Sequence, residues 1–243
     1  MAQTLKFLAG REYKGGLPSN KSCYYKKAST MFLINCGKGT VDALKRTKAL
    51  SGVKEMFIVI TCSNKQHLAD LKKLLFILNA GGVKPKIIES ISLNQKLLKR
   101  MGVVDGEDCQ FLEPLSNNIK WLNFLATPHK DKNFSCPVEL YLDGKKIFYG
   151  GDSGIIPFAI KGYDEYYFDF SDKQSEYFLD PIKTRNLVQK NSIKKNQLWL
   201  VHLESVNALR MAQKIGMQVA EEEKTKLQKI EKKQIKKDVD MAK

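Results

Sequence analysis

Met31-Phe32-Leu33-Ile34-Asn35-Cys36-Gly37-Lys38-Gly39-Thr40-Val41-Asp42-Ala43-Leu44 runs from an apolar stretch, through a turn bracketed by two glycines, into an amphipathic segment. Phe32-Leu33-Ile34 reads as a buried strand. Thr40 reads as the N-cap of a helix that buries Val41, Ala43 and Leu44. Strand, glycine turn and helix in that order is an α/β signature. Upstream, residues 4–9 alternate as a strand. Gly15-Gly16 and Pro18-Ser19-Asn20 make a loop, and residues 22–25 resume a strand that pairs with 31–35. Downstream, residues 56–61 read as a buried strand. Residues 67–79 carry Leu68, Leu71, Leu74, Leu75 and Leu78 at helical spacing. Gly81-Gly82 ends that helix, residues 86–90 form another short strand, and residues 93–101 a short helix.

From residue 109 the strands crowd together: 109–114, 119–127, 138–142 and 145–150, with Asp143-Gly144 forming a type I′ hairpin turn. Residues 166–170 and 198–202 are two more apolar strands. Residues 205–215 form a last helix that ends at Gly216. The two halves are similar in order, which suits a sandwich of two sheets with helices on the outer faces. No repeat of 20–50 residues accompanies that likeness. Residues 221–243 hold few large aliphatics and read as an exposed, frayed helical tail on a single domain spanning 1–220.

With 43% hydrophobic and 28% charged residues in 243, the chain is an ordinary globular protein. It carries 41 Lys+Arg against 26 Asp+Glu, a net charge of +15. The tail contributes eight lysines and six acids, so the body alone carries +13. Such a body suits polyanionic partners, although lysine used for solubility gives the same balance. Five cysteines at irregular spacing, with no secretory leader before them, imply reduced thiols and a cytoplasmic protein. No apolar run approaches the length of a membrane span.

The sequence has three histidines, and each follows a strand: His67, His129 and His202. Histidines at the carboxyl ends of neighbouring strands can converge on one metal or phosphate. Taken singly, each reads more simply as a satisfied core residue. Asp152 lies in Gly150-Gly151-Asp152-Ser153-Gly154, where glycines let backbone approach closely.

In this order the segments resemble the metallo-β-lactamase fold superfamily, in its ribonuclease Z-like branch. They are Ser19-Asn20-Lys21-Ser22, Asn35-Cys36-Gly37, Thr61-Cys62-Ser63-Asn64-Lys65-Gln66-His67, Thr127-Pro128-His129, Tyr149-Gly150-Gly151-Asp152 and Val201-His202. Within the branch, Tyr24-Tyr25 before Phe32-Leu33-Ile34, and the ending from His202 to Gly216, are most similar to phage anti-Pycsar phosphodiesterases, which cleave cyclic nucleotide signals. The resemblance implies an αββα sandwich of two mixed sheets, with seven metal ligands in active members. By position, Cys62 stands for the first histidine of the motif, Asn64 for the second and Gln66 for the aspartate. His67, His129, Asp152 and His202 remain.

Asn64 and Gln66 are poor zinc ligands and remove negative charge that would balance two dications. A side-chain amide at position 66 cannot take a proton from water, so Gln66 should cripple hydrolysis. No residue is therefore assigned a catalytic role. The expected cofactor is none, or one zinc or manganese ion on His67, Asp152 and His202 or on Cys62, His129 and Asp152. Ser63, Asn64, Lys65, Lys130 and the amides near Gly150 could meet phosphate. Aromatics at 163–168 and 176–178 could stack a base, with core packing as the commoner reason for them.

The leading expectation is a pseudoenzyme of this fold that acts as a sponge, sequestering a cyclic nucleotide or cyclic oligonucleotide immune signal in a bacterial cytoplasm and so evading anti-phage defence. The first alternative is a mononuclear metal-dependent phosphodiesterase cleaving cyclic nucleotides or RNA. The second is a structural protein whose basic face binds RNA or protein. The resemblance also implies a homodimer, with residues 171–181 reaching the partner's pocket.

Overall fold

The computed structural model describes residues 3–8, 22–61, 67–89, 92–113, 119–125, 136–151, 159–171, 179–203, 205–220 and 232. The first half runs β1 (Lys6–Phe7), β2 (Cys23–Lys27), β3 (Thr30–Ile34), α1 (Thr40–Arg46), β4 (Glu55–Ile60), α2 (Leu71–Ala80), β5 (Lys86–Glu89), α3 (Ser92–Arg100) and β6 (Gln110–Leu112). The second runs β7 (Leu122–Phe124), β8 (Val138–Leu142), β9 (Lys145–Gly151), β10 (Glu165–Asp169), α4 (Pro181–Asn191), β11 (Leu198–Val201), α5 (Val206–Lys214) and β12 (Gln218–Val219). A short 3-10 turn, Lys195–Gln197, leads into β11.

Each half makes one six-stranded sheet whose strands lie in chain order. In both sheets the first two pairings are antiparallel and the last three parallel. The halves that look alike in sequence thus share one topology. Tight hairpins join β2 to β3 and β8 to β9, and helical crossovers carry most of the parallel pairs. At the β8–β9 turn, Asp143 and Gly144 both have positive φ, 51° and 72°, as a type I′ turn requires.

Strand alternation builds three apolar layers. On sheet one, Met31, Leu33, Met56, Ile58 and Ile60 face outward onto Val41, Leu44, Leu71, Leu74, Leu75 and Leu78. Ile34, Val59, Ile88, Tyr149, Tyr167 and Val201 fill the space between the sheets. Phe148, Phe168, Leu198 and Leu200 face outward under Ala208, Leu209 and Ala212. Full burial of each large side chain stabilises the fold by roughly 1.5–3 kcal/mol. This is the expected sandwich of two mixed sheets with helices outside.

Local expectations are corrected at four points. Helix α1 begins at Thr40 itself, capped by Gly39 at φ 86°, because the Thr40 hydroxyl turns back to the Gly37 carbonyl at 2.6 Å. The helix expected over 67–79 starts only at Leu71, leaving His67 in the turn before it. Helix α4 and strand β12 were not expected from the sequence. Asp180 caps α4, its carboxylate accepting from the amides of Ile182 and Lys183 at 2.9 Å, and Pro181 opens the first turn. The tail over 221–243 lies outside the described residues apart from Lys232. Among the described residues, no helix is long and apolar enough to cross a membrane.

Candidate functional site at the carboxyl strand ends

The first strand end is held by a buried polar clamp. Asn35 follows β3 with φ 59°, in the left-handed region that Asn tolerates better than most residues. The Thr61 amide donates to Asn35 Oδ1 at 3.1 Å, and Asn35 Nδ2 donates to Thr61 Oγ1 at 2.9 Å. The Cys36 amide then donates to the His67 carbonyl at 2.7 Å, and the Asp70 amide to the Cys36 carbonyl at 3.1 Å. Asn35 and Cys36 therefore pin both ends of the stretch between Thr61 and His67. Beneath them, the Gly37 amide donates to Ser22 Oγ at 2.9 Å, and the Thr40 hydroxyl lies 2.9 Å from the same oxygen. Burial pushes the Cys36 thiol well above its usual range, so it packs as a neutral group. His67 is buried at this end of sheet one.

The second strand end presents His202, directly after β11 at φ 52°. Its Nδ1 lies 2.6 Å from Asp169 Oδ1, at the end of the neighbouring strand β10. Both residues are buried, Asp169 at 1% exposure and His202 at 8%. Nδ1 donates to the carboxylate, which leaves Nε2 buried with no hydrogen bond to any described residue. A histidine oriented by a carboxylate through one nitrogen, with the other open, is the usual arrangement of a metal ligand. Protonated, the same ring would present an N–H to a phosphate. Phe7 from β1 packs edge-on against it at 5.4 Å, so the N-terminal strand fixes the ring's tilt.

Between them, β9 ends in a bulge. Tyr149 pairs with Tyr167 and Gly151 with Phe168, so Gly150 is the extra residue. A Cβ on Gly150 would collide with the Phe168 ring, and Gly151 has φ 51°. Both glycines are needed where the chain leaves β9 towards Asp152.

Of the expected site residues, the structure thus places His67 and His202 at carboxyl strand ends. Cys62, Asn64, Gln66, His129 and Asp152 lie outside the described residues, as do Ser63, Lys65, Lys130 and 176–178. Among the described residues, no three His, Cys, Asp or Glu groups are gathered to hold a metal. Tyr163, Tyr166, Tyr167 and Phe168 are all buried in the cores, so packing and not base stacking explains them. Asp169 was missed from the sequence. Its signal was a carboxylate directly after the apolar run Tyr166-Tyr167-Phe168, a position that demands a buried partner.

Two mixed sheets back to back with helices outside are the architecture of the metallo-β-lactamase fold. Solved structures agree. The metallo-β-lactamase fold protein YhfI from Bacillus subtilis matches with a TM-score of 0.67 at 14% identity, over 88% of this chain and 93% of that one. The short form of human tRNase Z matches with 0.60 at 17%, over 89% and 95%. A diphosphatase of the PhnP family matches with 0.59 at 17%, over 82% and 80%. At such identities the likeness is one of fold. No protein-family model matches the sequence, and no curated protein is significantly similar to it.

Proposed function

We propose that the strand-end pocket binds the phosphodiester of a cyclic nucleotide or cyclic oligonucleotide and retains it with little or no hydrolysis. The observation that carries this is His202, held by Asp169 with Nε2 buried and open, in a chain whose motif reads Cys62, Asn64 and Gln66. The scaffold for a phosphate ligand is kept while the group that would take a proton from water is an amide. The structural neighbours include a tRNase Z and a diphosphatase, which supports a ligand of this chemistry. The reading carries with it a cytoplasmic, homodimeric pseudoenzyme that lowers a bacterial immune signal, encoded by a phage or by a cell.

One divalent ion fits the open Nε2. His67, Asp152 and His202 would hold it, or else Cys62, His129 and Asp152 would. When bound, zinc or manganese would supply positive charge to a phosphate oxygen and acidify a water. Asp169 keeps Nδ1 protonated and so keeps the Nε2 lone pair available. This carboxylate–histidine pair favours a second reading, a mononuclear phosphodiesterase.

Purified protein at stoichiometric concentration is to be incubated with cyclic mono-, di- and trinucleotides, with and without zinc or manganese. Filtrate and denatured protein are then chromatographed. Ligand missing from the filtrate and recovered intact from the protein is the expected result. Linear product formed only with metal, and abolished by His202→Ala, would replace sequestration by the second reading. Ligand left wholly in the filtrate would overturn both.

A further inference from the structure

The outer layer of sheet two has an unusual charge make-up. Between residues 181 and 220 the chain holds seven Lys or Arg and one acid, Glu204. The exposed positions on α4, the 3-10 turn and α5 include Arg185, Lys190, Lys194, Lys195, Arg210 and Lys214. Asn186, Gln189, Asn196, Asn207 and Gln213 share that surface. The N-cap Asp180 is buried and spent on its own helix. Among the described residues, no ion pair holds Arg185, Lys190, Lys194 or Lys214.

The helices over sheet one are as basic, with seven Lys or Arg and one acid, Asp42, in α1, α2 and α3, but that acid is paired and the turn after α3 adds exposed acids. There Lys73 pairs with Asp42 at 3.2 Å, and exposed Asp105 and Glu107 follow α3. General basicity would spread acids over both layers. Exposed acids follow the helices of the sheet-one layer, whereas among the described residues the exposed charged side chains of 181–220 are all cations, interleaved with amides, the side chains that contact phosphate and sugar. The sheet-two layer also lacks what a membrane surface would need. Ile182, at 63% exposure, is its only strongly exposed large apolar side chain among the described residues, where a bilayer would select a row of them.

We propose that the layer formed by α4, the 3-10 turn and α5 is a docking surface for the phosphodiester backbone of a nucleic acid. It is separate from the strand-end pocket and independent of how that pocket is read. Cations supply counterion-releasing contacts and the amides between them supply hydrogen bonds, so binding is tolerant of sequence and steep in salt.

The test compares two charge reversals of equal size. One carries Arg185→Glu, Lys190→Glu, Lys194→Glu and Lys214→Glu; the other carries Lys45→Glu, Lys96→Glu, Lys99→Glu and Arg100→Glu on the sheet-one helices. Fluorescence anisotropy is read against labelled single-stranded RNA, duplex RNA and duplex DNA over a salt series, with phosphatidylserine vesicles as a further arm. The first variant should lose at least ~10-fold in affinity at low salt and flatten the log–log salt slope by about 3 to 4 units, while the second changes affinity by less than ~3-fold. Should the reversal not fold, Arg185→Gln, Lys190→Gln, Lys194→Gln and Lys214→Gln together remove the same charges without adding repulsion and should weaken binding in the same direction. Equal losses in both variants would reduce the effect to net charge and overturn the proposal. Vesicle binding without nucleic-acid binding would also overturn it. Retention of a cyclic nucleotide by the first variant separates this surface from the pocket.

Discussion

Asn35 does two jobs that substitutions can separate. Its φ of 59° asks for a residue that tolerates the left-handed region, and its side chain hydrogen-bonds the amide and hydroxyl of Thr61. Asn35→Gly keeps the first and loses the second, and should cost about 1–3 kcal/mol through the buried groups left unmade. Asn35→Ala adds backbone strain of about 1 kcal/mol. Urea denaturation should therefore rank wild type above Gly and Gly above Ala. The motif residues make the complementary case. Under the function proposed above, Cys62→His, Asn64→His and Gln66→Asp together supply the donors that the resemblance assigns to an active two-metal motif. The triple variant should raise bound zinc from at most one to two per chain, measured by elemental analysis of dialysed protein, and gain phosphodiesterase turnover. At this scale the sequence exposed the histidines, because His is rare and follows strands. It hid Asp169, because a residue's partner across parallel strands is set by register, and Asp169 meets Val201 and hence His202 only once β10 and β11 pair.

Among the elements, β9 depends on a missing side chain. Gly150→Ala places a methyl against the Phe168 ring, and overpacking of this kind costs about 1–3 kcal/mol. A lower denaturation midpoint with unchanged slope is the expected readout. Strand β8 carries a different constraint. Burial alone would raise the Glu139 carboxyl, but hydrogen bonds from Tyr141, Tyr163 and Lys146 outweigh it and hold the group below its ordinary value of 4.5. A carboxyl depressed in the folded state adds stability above its unfolded pKa and loses it as pH falls through the folded one. Glu139→Gln should thus destabilise the protein at neutral pH yet lose less on acidification below about pH 4.5 than wild type does. Denaturation midpoints between pH 7 and 3 check both signs. Most strands were legible from alternation and turn residues, while β12 is two residues long and carries no periodic signal. Helix α4 announced itself only through Asp180-Pro181, since its buried face mixes Thr184 and Asn191 with Leu187 and Val188 and blurs the apolar stripe.

For the whole molecule, the sandwich and its two like halves were readable because each half repeats one order of strands and helices. The expectation that distant segments gather at the strand ends was not readable from spacing and rested on resemblance. What joins the halves is therefore of interest. Thr4 donates through its amide and hydroxyl to the Glu165 carboxylate at 3.0 and 2.8 Å, Lys145 reaches the same carboxylate at 2.6 Å, and the Tyr167 hydroxyl meets the Thr4 amide at 3.1 Å. The N-terminal segment so ties β2 of sheet one to β10 of sheet two.

Because every strand in each sheet hydrogen-bonds only to its neighbours in the chain, no sheet waits on a strand from the other half in order to assemble. Nucleation can proceed twice, once on either side of the connection between β6 and β7, with docking of two preformed layers as the later event. A chain severed between those strands should yield two polypeptides that refold on mixing, detected as recovery of near-ultraviolet circular dichroism from Tyr167 and Trp199. Deleting residues 1–8 from the first fragment should slow that recovery more than it weakens either fragment's own secondary structure.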